Sequence, residues 1–456
     1  MVIFLVFIFI FLSRVLFLSI SPAFFDSLEY LRLFALPSLG EALKQVHYPI
    51  HPLWVMAGWL FNKIPFSTTL YKIEFLNAIL GTLSCFFIYK IAREFSDKNR
   101  SLLITLICAF TPYFWLSQIN VLYEPLLGVF LLGSFYFFLK NRLFPAAVFS
   151  AGAFLVSSTA LIYLVFFAGW FLKKRDLKGF GVLGGGMLLG VLGYLGILGL
   201  RGIPAGEFFL VLAAGNSILG KLKLEGVMFF VRGARNSFLV FFEYLTVPVG
   251  IVLICLIKRT KKYFFSWIAC FLLLNTIWHA GMFGRTGLFL ILAPVFLLVK
   301  IKRELILKVI LVFLIIFSGF KVLPYHFEKI PFVLEKEYLE NNFTKQNPLV
   351  VVGAYEEPYF KDSFDLLILN SPKTNLNEIK KKINSSLGEK RMVLMTSQAV
   401  SVPYWQYDGM NFHILSKRKK YPTTQGGELI DFFEKEALPW QNNSLKIFIL
   451  GKKIDR

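Results

Sequence analysis

Asp26, Glu29 and Tyr30 fall within one short stretch, and His47, His51 and Pro52 follow in the same polar, proline-broken segment. A carboxylate at the edge of an apolar environment is suited to take the proton of an acceptor hydroxyl. Asp26 lies just beyond the first apolar run of the chain, and a general base is its functional reading. A solvated aspartate near a helix start fits that position equally well. Glu29, one helical turn on, is either a helper to Asp26 or simply exposed.

Glu124 opens a later apolar run as Tyr123-Glu124-Pro125. A carboxylate in a first turn suits the helix dipole, and proline is tolerated at the first helical position, so a structural role is available to it. In the topology derived below it nevertheless falls on the same side as Asp26, so the two acids can line one cleft. His47, His51, His279 and His326 fall on that side too. Imidazole with carboxylate suits zinc or manganese, so a divalent cation is admitted as a partner, although no cofactor is required and no metal ligand is assigned. His47 and His51 are four apart, but Pro49 between them argues against the regular helix that would align them.

The basic candidates are Arg285, Arg232 and Arg235, with Lys221 and Lys223 nearby in sequence. A guanidinium at a membrane surface is shaped to hold a phosphate in bidentate fashion; headgroup contact or snorkelling is the plainer alternative. Arg14, inside the first apolar run, is paired or snorkelling and takes no role in the site.

The elements that must position these residues are membrane spans. The chain is 56% hydrophobic with a mean hydropathy of +0.63, far from a soluble composition. Apolar runs of roughly 17–21 residues recur up to about residue 320, each long enough to cross a hydrocarbon core. We place them near 2–20, 71–91, 101–117, 121–139, 143–157, 159–172, 180–200, 237–257, 263–279, 287–299 and 305–320. The expected fold is a polytopic α-helical membrane protein of about eleven spans. A break at Ser157-Ser158-Thr159 allows a re-entrant reading of the fifth and sixth. The first run has no basic leader and no small-residue cleavage site, and is read as a retained helix.

With the N-terminus cytoplasmic, every short inner turn is basic: Arg93/Lys98/Arg100, Lys140/Arg142, Lys173/Lys174/Arg175, Lys258/Arg259 and Lys300/Lys302/Arg303. The short outer turns hold only Arg285. That asymmetry sets the orientation, places the protein in the cytoplasmic membrane, and accounts for the net charge of +21 by lipid contact, with no nucleic acid partner. Residues 21–70, 201–236 and everything after 321 lie outside. Within the first of these, His51 to Phe61 is apolar but too short to span, and reads as a helix lying in the interface. The Gly-rich run at 184–199 reads as close helix packing. The four cysteines all fall in apolar runs, which suggests neither disulfides nor zinc.

Residues 1–320 therefore read as the membrane domain and 321–456 as a smaller outer domain. Short apolar stretches at 348–353, 365–369, 391–396, 412–415 and 445–450 read as strands, with helices at 376–386 and 427–436, which together suggest a small extracytoplasmic α/β module.

Taken in order, these motifs resemble the C-type membrane glycosyltransferases, in the branch of bacterial relatives of protein mannosyltransferases and lipid A aminoarabinose transferases. The resemblance rests on Asp26-x3-Tyr30 after span one, on His51-Pro52-Leu53 with the surface helix, and on Glu94 closing YKIARE. Two further stretches are PYFWLSQINVLYEPL from Pro112 and RTGLFLILAP from Arg285 to Pro294. It covers the membrane domain and says little of the outer one. The chain departs from the family where a basic residue usually follows the fifth span; Ser157-Ser158-Thr159 stands there instead.

The resemblance implies transfer of a sugar from a polyprenyl-phosphate donor to a hydroxyl acceptor, in a glycan, lipid or protein, at the outer face with inversion. Asp26 is then the base. Glu124 orients the acceptor, Arg285 with Arg232 or Arg235 meets the lipid phosphate, and Glu29, Tyr30 and His51 contact substrate. A lipid-linked sugar flippase or other transporter is the alternative from another class, but the polar candidates collect on one side instead of along a path through the spans. An oligosaccharyltransferase is hinted at only by Trp405-Gln-Tyr-Asp408-Gly409.

Overall fold

The computed structural model describes residues 2–22, 25–46, 51–160, 177–204, 246–256, 298–327, 331–353, 357–369, 376–389, 391–396, 410–414 and 448–452, with a few isolated positions besides. They divide into two compact units. The first comprises described residues of Met1–Ser19 and Tyr30–Leu323; the second, those of Ile20–Glu29, Pro324–Gly427 and Asp431–Arg456.

The first unit is helical. α1 (Val2–Val15) is followed by α2 (Phe25–Ala35), whose first turn belongs to the second unit, and by the short α3 (Leu39–Gln45) and α4 (Pro52–Asn62). α4 is the apolar stretch expected on the membrane surface. Pro52 starts it, and Trp59 Nε1 donates to the Leu36 carbonyl at 3.0 Å. α5 (Thr69–Arg93) is long and apolar enough to cross a membrane: 25 residues, capped by the Thr68 hydroxyl, which accepts from the Tyr71 N–H. Lys90 and Arg93 close its last turn, where cations suit the helix dipole.

α6 (Lys98–Ala109) and α7 (Pro112–Gln118) make up the expected third span, bent by 72° at Phe110-Thr111. Proline at the start of α7 cannot donate into α6, so the break leaves carbonyls without helical partners. Arg14 supplies one. Fully buried, it donates to the Ala109 carbonyl, to Gln118 Oε1 at 2.7 Å and to Ser13 Oγ at 2.6 Å, with its guanidinium 5.0 Å from the Phe110 ring. Ser318 Oγ donates to the Phe110 carbonyl at 2.6 Å. Arg14 is thus paired with the protein interior, the first of the two readings its sequence position allowed.

α8 (Glu124–Leu139) and α9 (Leu143–Val156) form a tight pair, and α10 (Leu177–Leu200) packs on α9. The glycines of α10 permit that approach: a Cβ at Gly186 would stand 2.3 Å from the Ala147 carbonyl oxygen, and one at Gly190 2.9 Å from that of Ala151. Close packing is what the Gly-rich run does at Gly186 and Gly190. α11 (Val247–Leu256) and α12 (Glu304–Phe327) complete the helices described up to residue 327. Among the described residues, α5 and α10 are long and apolar enough to cross a membrane, and the bent α6–α7 pair makes a third. The expected spans at 159–172, 263–279 and 287–299 lie almost wholly outside the described residues.

In the second unit, α13 (Pro331–Phe343) precedes a five-stranded sheet of β1 (Leu349–Gly353), β2 (Asp365–Leu369), β3 (Val393–Met395), β4 (Met410–Ile414) and β5 (Phe448–Lys452). The order is β2-β1-β3-β5-β4; β2, β1 and β3 pair in parallel, and β5 runs antiparallel to both its neighbours, so β4 points the same way as the first three. β1 reads Leu-Val-Val-Val-Gly and is buried along its whole length, as a central parallel strand must be. The single turn α14 (Glu357–Phe360) lies between β1 and β2, and the amphipathic α15 (Leu376–Gly388) between β2 and β3.

Candidate functional site

The candidate residues fall into two sets, one in each unit. In the first unit, His51 sits at the N-cap of α4 and is 5% exposed. Its Nδ1 stands 2.7 Å from the Val156 carbonyl, the last of α9, where carbonyls lack intrahelical partners. A carbonyl only accepts, so Nδ1 carries the proton, and in the neutral ring Nε2 is the acceptor. The imidazole stacks on Tyr123 with ring centres 3.9 Å apart and planes 18° from parallel. Tyr30 meets it edge-on at 6.2 Å and packs against Trp54 and Phe34 in turn. The histidine is therefore clamped on two sides by aromatic rings with its tautomer set by a helix end.

Glu124 follows Tyr123 directly and is 1% exposed. It begins α8, with Pro125 behind it, so the helix-dipole role available to it in sequence is realised. The Tyr113 hydroxyl, from α7, donates to its Oε1 over a long 3.4 Å. The segment between α7 and α8 is pinned by Asn77, whose Nδ2 donates to the carbonyls of Asn120 at 2.6 Å and Leu122 at 2.8 Å. Asn120 Oδ1 accepts from Ser19 at 2.9 Å. A buried carboxylate, a tautomer-locked imidazole and three tyrosines can together bind and orient hydroxyls.

In the second unit, Asp26 is half-buried in the first turn of α2, beside the fully buried Ser27. Glu29, one turn on, forms an ion pair with Lys361: Nζ lies 3.6 Å from Oε2. Tyr359, on α14, is buried, and its phenol is pushed well above its usual range by that burial and, next, by the negative charge of Asp26. A partly shielded carboxylate beside an ion-paired neighbour is a chemically sensible proton acceptor.

Tyr113, the stacking of Tyr123, the Val156 carbonyl, Tyr359 and Lys361 were not singled out from sequence. Tyr123 and Tyr113 carry a weak signal there, lying in the same stretch as Glu124; Lys361 carries none. Arg232, Arg235 and Arg285, with Lys221, Lys223, His47 and His279, lie outside the described residues. Among the described residues no three histidine, cysteine or acidic side chains are grouped as metal ligands.

The fold is similar to those of solved membrane transferases. Over 98% of its length the chain superimposes on 97% of ArnT, an aminoarabinose transferase, from Cupriavidus metallidurans bound to undecaprenyl phosphate, with a TM-score of 0.54 at 11% identity. The apo state of that protein gives 0.53 over 98% and 96% of the two chains, again at 11% identity. An oligosaccharyltransferase from Archaeoglobus fulgidus gives 0.52 at 11% identity, over 90% of this chain and 73% of that one. No protein-family model and no curated protein sequence matches the chain.

Proposed function

We propose that the protein is an integral-membrane glycosyltransferase that moves a sugar from a polyprenyl-phosphate donor to a hydroxyl acceptor at the outer face, with inversion. The observation that carries this reading is the end-to-end likeness of the backbone to ArnT, a fold neighbour solved with undecaprenyl phosphate bound. About eleven spans cross the cytoplasmic membrane, with the N-terminus inside and the α/β unit outside, in keeping with the basic inner turns.

In this reaction the acceptor O–H loses its proton to the Asp26 carboxylate as its oxygen attacks the anomeric carbon. The bond from that carbon to the phosphate oxygen breaks, and polyprenyl phosphate leaves with the electron pair. No covalent sugar–enzyme intermediate is needed. Arg285, with Arg232 or Arg235, neutralises the departing phosphate. Glu124, His51 and Tyr30 hold hydroxyls of the sugar or acceptor, and Glu29 supports the base. The acceptor is a glycan, lipid or protein hydroxyl; a divalent cation is an optional partner.

The test is turnover in membranes supplied with polyprenyl-phosphate sugars and an extract as acceptor source, with free polyprenyl phosphate and glycosylated product read by mass spectrometry. Asp26→Asn is expected to lower the rate by about 10²–10⁴-fold while the protein remains folded. A mutant as fast as wild type would remove Asp26 as the base, and no donor consumption by wild type would remove the transferase reading.

A further inference from the structure

Residues 119–123, between α7 and α8, carry Tyr123 and lead directly into Glu124, yet they form neither helix nor strand. Ile119, Asn120, Val121 and Leu122 are all 0% exposed. Buried backbone outside regular structure must find hydrogen bonds elsewhere. α5 meets part of that need from one face. Asn77 Nδ2 donates to the Asn120 carbonyl at 2.6 Å and to that of Leu122 at 2.8 Å, so both N–H groups of one amide are used on a single short segment. Four residues on, Gly81 leaves the space that the Gln118 side chain fills. Three further, Ser84 Oγ donates to the Pro125 carbonyl at 3.3 Å. Positions 77, 81 and 84 share one helix face, and that face receives the chain from Gln118 to Pro125.

The chemistry at position 77 is specific. Both of its partners are carbonyls, which only accept, so the amide nitrogen must face them. Oδ1 is then left over: it is buried and has no hydrogen-bond partner among the described residues. An unsatisfied oxygen is costly, and the two bonds of the clamp offset it. Aspartate has the same shape but no N–H to give, and leucine, of similar size, has no polar atom at all.

Leu122 precedes Tyr123, whose ring stacks on His51 with centres 3.9 Å apart, and Glu124 comes next. We propose that Asn77 is a positioning residue for the transfer: by clamping the carbonyls of Asn120 and Leu122 it sets Tyr123 against His51 and holds Glu124 where it meets substrate hydroxyls. The inference rests on the reading that His51 and Glu124 hold substrate. Asn77 itself touches none; its effect passes through the backbone of residues 120–124. Such leverage is large where geometry governs rate, since a displacement of about 1 Å remote from the chemistry can cost about 10²-fold.

The experiment is a double-mutant cycle on kcat/KM for the full-length protein in membranes, with polyprenyl-phosphate sugars and extract as before and rates divided by the amount of folded protein. Asn77→Leu is expected to lower kcat/KM by about 10–100-fold. In a Glu124→Gln background the same change should cost about threefold or less, because the group it positions is already gone. Equal losses in the two backgrounds would overturn the proposal. Asn77→Ser, with one donor for two carbonyls, is the milder variant for the same cycle if Asn77→Leu does not fold.

Glu124→Gln on its own separates the two readings. If it is slow while the losses simply multiply, only the positioning role falls. If it turns over like wild type, the substrate role of Glu124 falls and this inference with it, while Asp26→Asn still tests the transferase. The placement itself is read without turnover. With histidine isotopically labelled, the ring signals of His51, assigned by their loss in His51→Ala, report the tyrosine stacked on them. They should shift in Asn77→Leu or Asn77→Ser, and unmoved signals in the folded variant would overturn the proposal.

Discussion

The region around His51 and Glu124 and the region around Asp26 hold their polar groups by different means. In the first, two groups lean on backbone released by broken or ending helices, His51 on the last carbonyl of α9 and Asn77 on the carbonyls between α7 and α8, while Glu124 accepts from the Tyr113 hydroxyl. The surroundings are aromatic, and the residues 8% exposed or less. In the second, the holding force is charge. Glu29 is met by a lysine that retains 24% of its side-chain exposure, and Asp26 itself is half-buried. A buried, hydrogen-bonded frame keeps its geometry under conditions that leave the fold intact, whereas a turn held by an ion pair answers to salt.

Experiments that sharpen the contrast can be ranked by expected effect. Asp26→Asn, with its loss of about 10²–10⁴-fold in rate, is the largest, and should come with no loss of melting temperature, since the change removes a charge and little packing. A mutant that melts much earlier would mean that the second region, too, is a structural frame. His51→Ala reverses the pattern. It strands the Val156 carbonyl and removes the stack on Tyr123, so thermal unfolding in detergent should show a cost of about 1–3 kcal/mol. A variant as stable as wild type would show that the imidazole is there for substrate alone.

Glu74 departs from this pattern. It lies on α5 and is 1% exposed, and neither carboxyl oxygen has a hydrogen-bond partner among the described residues. A buried polar group left unsatisfied is costly, so Glu74→Met should raise stability by about 1–3 kcal/mol in the same melt. A marked loss instead would reveal a partner and hence a use for that carboxyl.

Alkaline pH should touch the second region first. The phenol of Tyr359 has its folded pKa raised, by burial and then by Asp26. Its contribution is therefore fully present below the unfolded value near 10 and is lost as pH rises through the folded one. Protection of the second unit in hydrogen exchange, corrected for intrinsic rates, should fall above about pH 10 while that around His51 holds. The smallest expected effect is that of salt. At about 1 M the screening length is near 3 Å, which should loosen the turn bearing Glu29 and leave the His51 amides unchanged.

Much of the frame was legible in the chain because its signals are local. The basic end of α5 acts through its own helix and was readable from neighbours in sequence, whereas residues 101–117 read as one unbroken run and the bend ahead of Pro112 came only with the structure. The helix at Pro52–Asn62 follows from its apolar run and its proline. Tight packing of the Gly-rich α10 follows from the glycines, though not its partner, Ala147 and Ala151 of α9.

The candidate residues divide in the same way. Composition, hydropathy and the spacing of Asp26, Tyr30, His51 and Glu124 by themselves determined that this is a membrane protein with its polar chemistry gathered in a few segments. Only the tertiary structure decided which groups meet: the Nδ1 proton of His51 on Val156, its ring on Tyr123, and Lys361 against Glu29. Hydrophobic patterning is a property of consecutive residues, whereas a hydrogen bond or ion pair between distant ones exists only after helices and strands have packed.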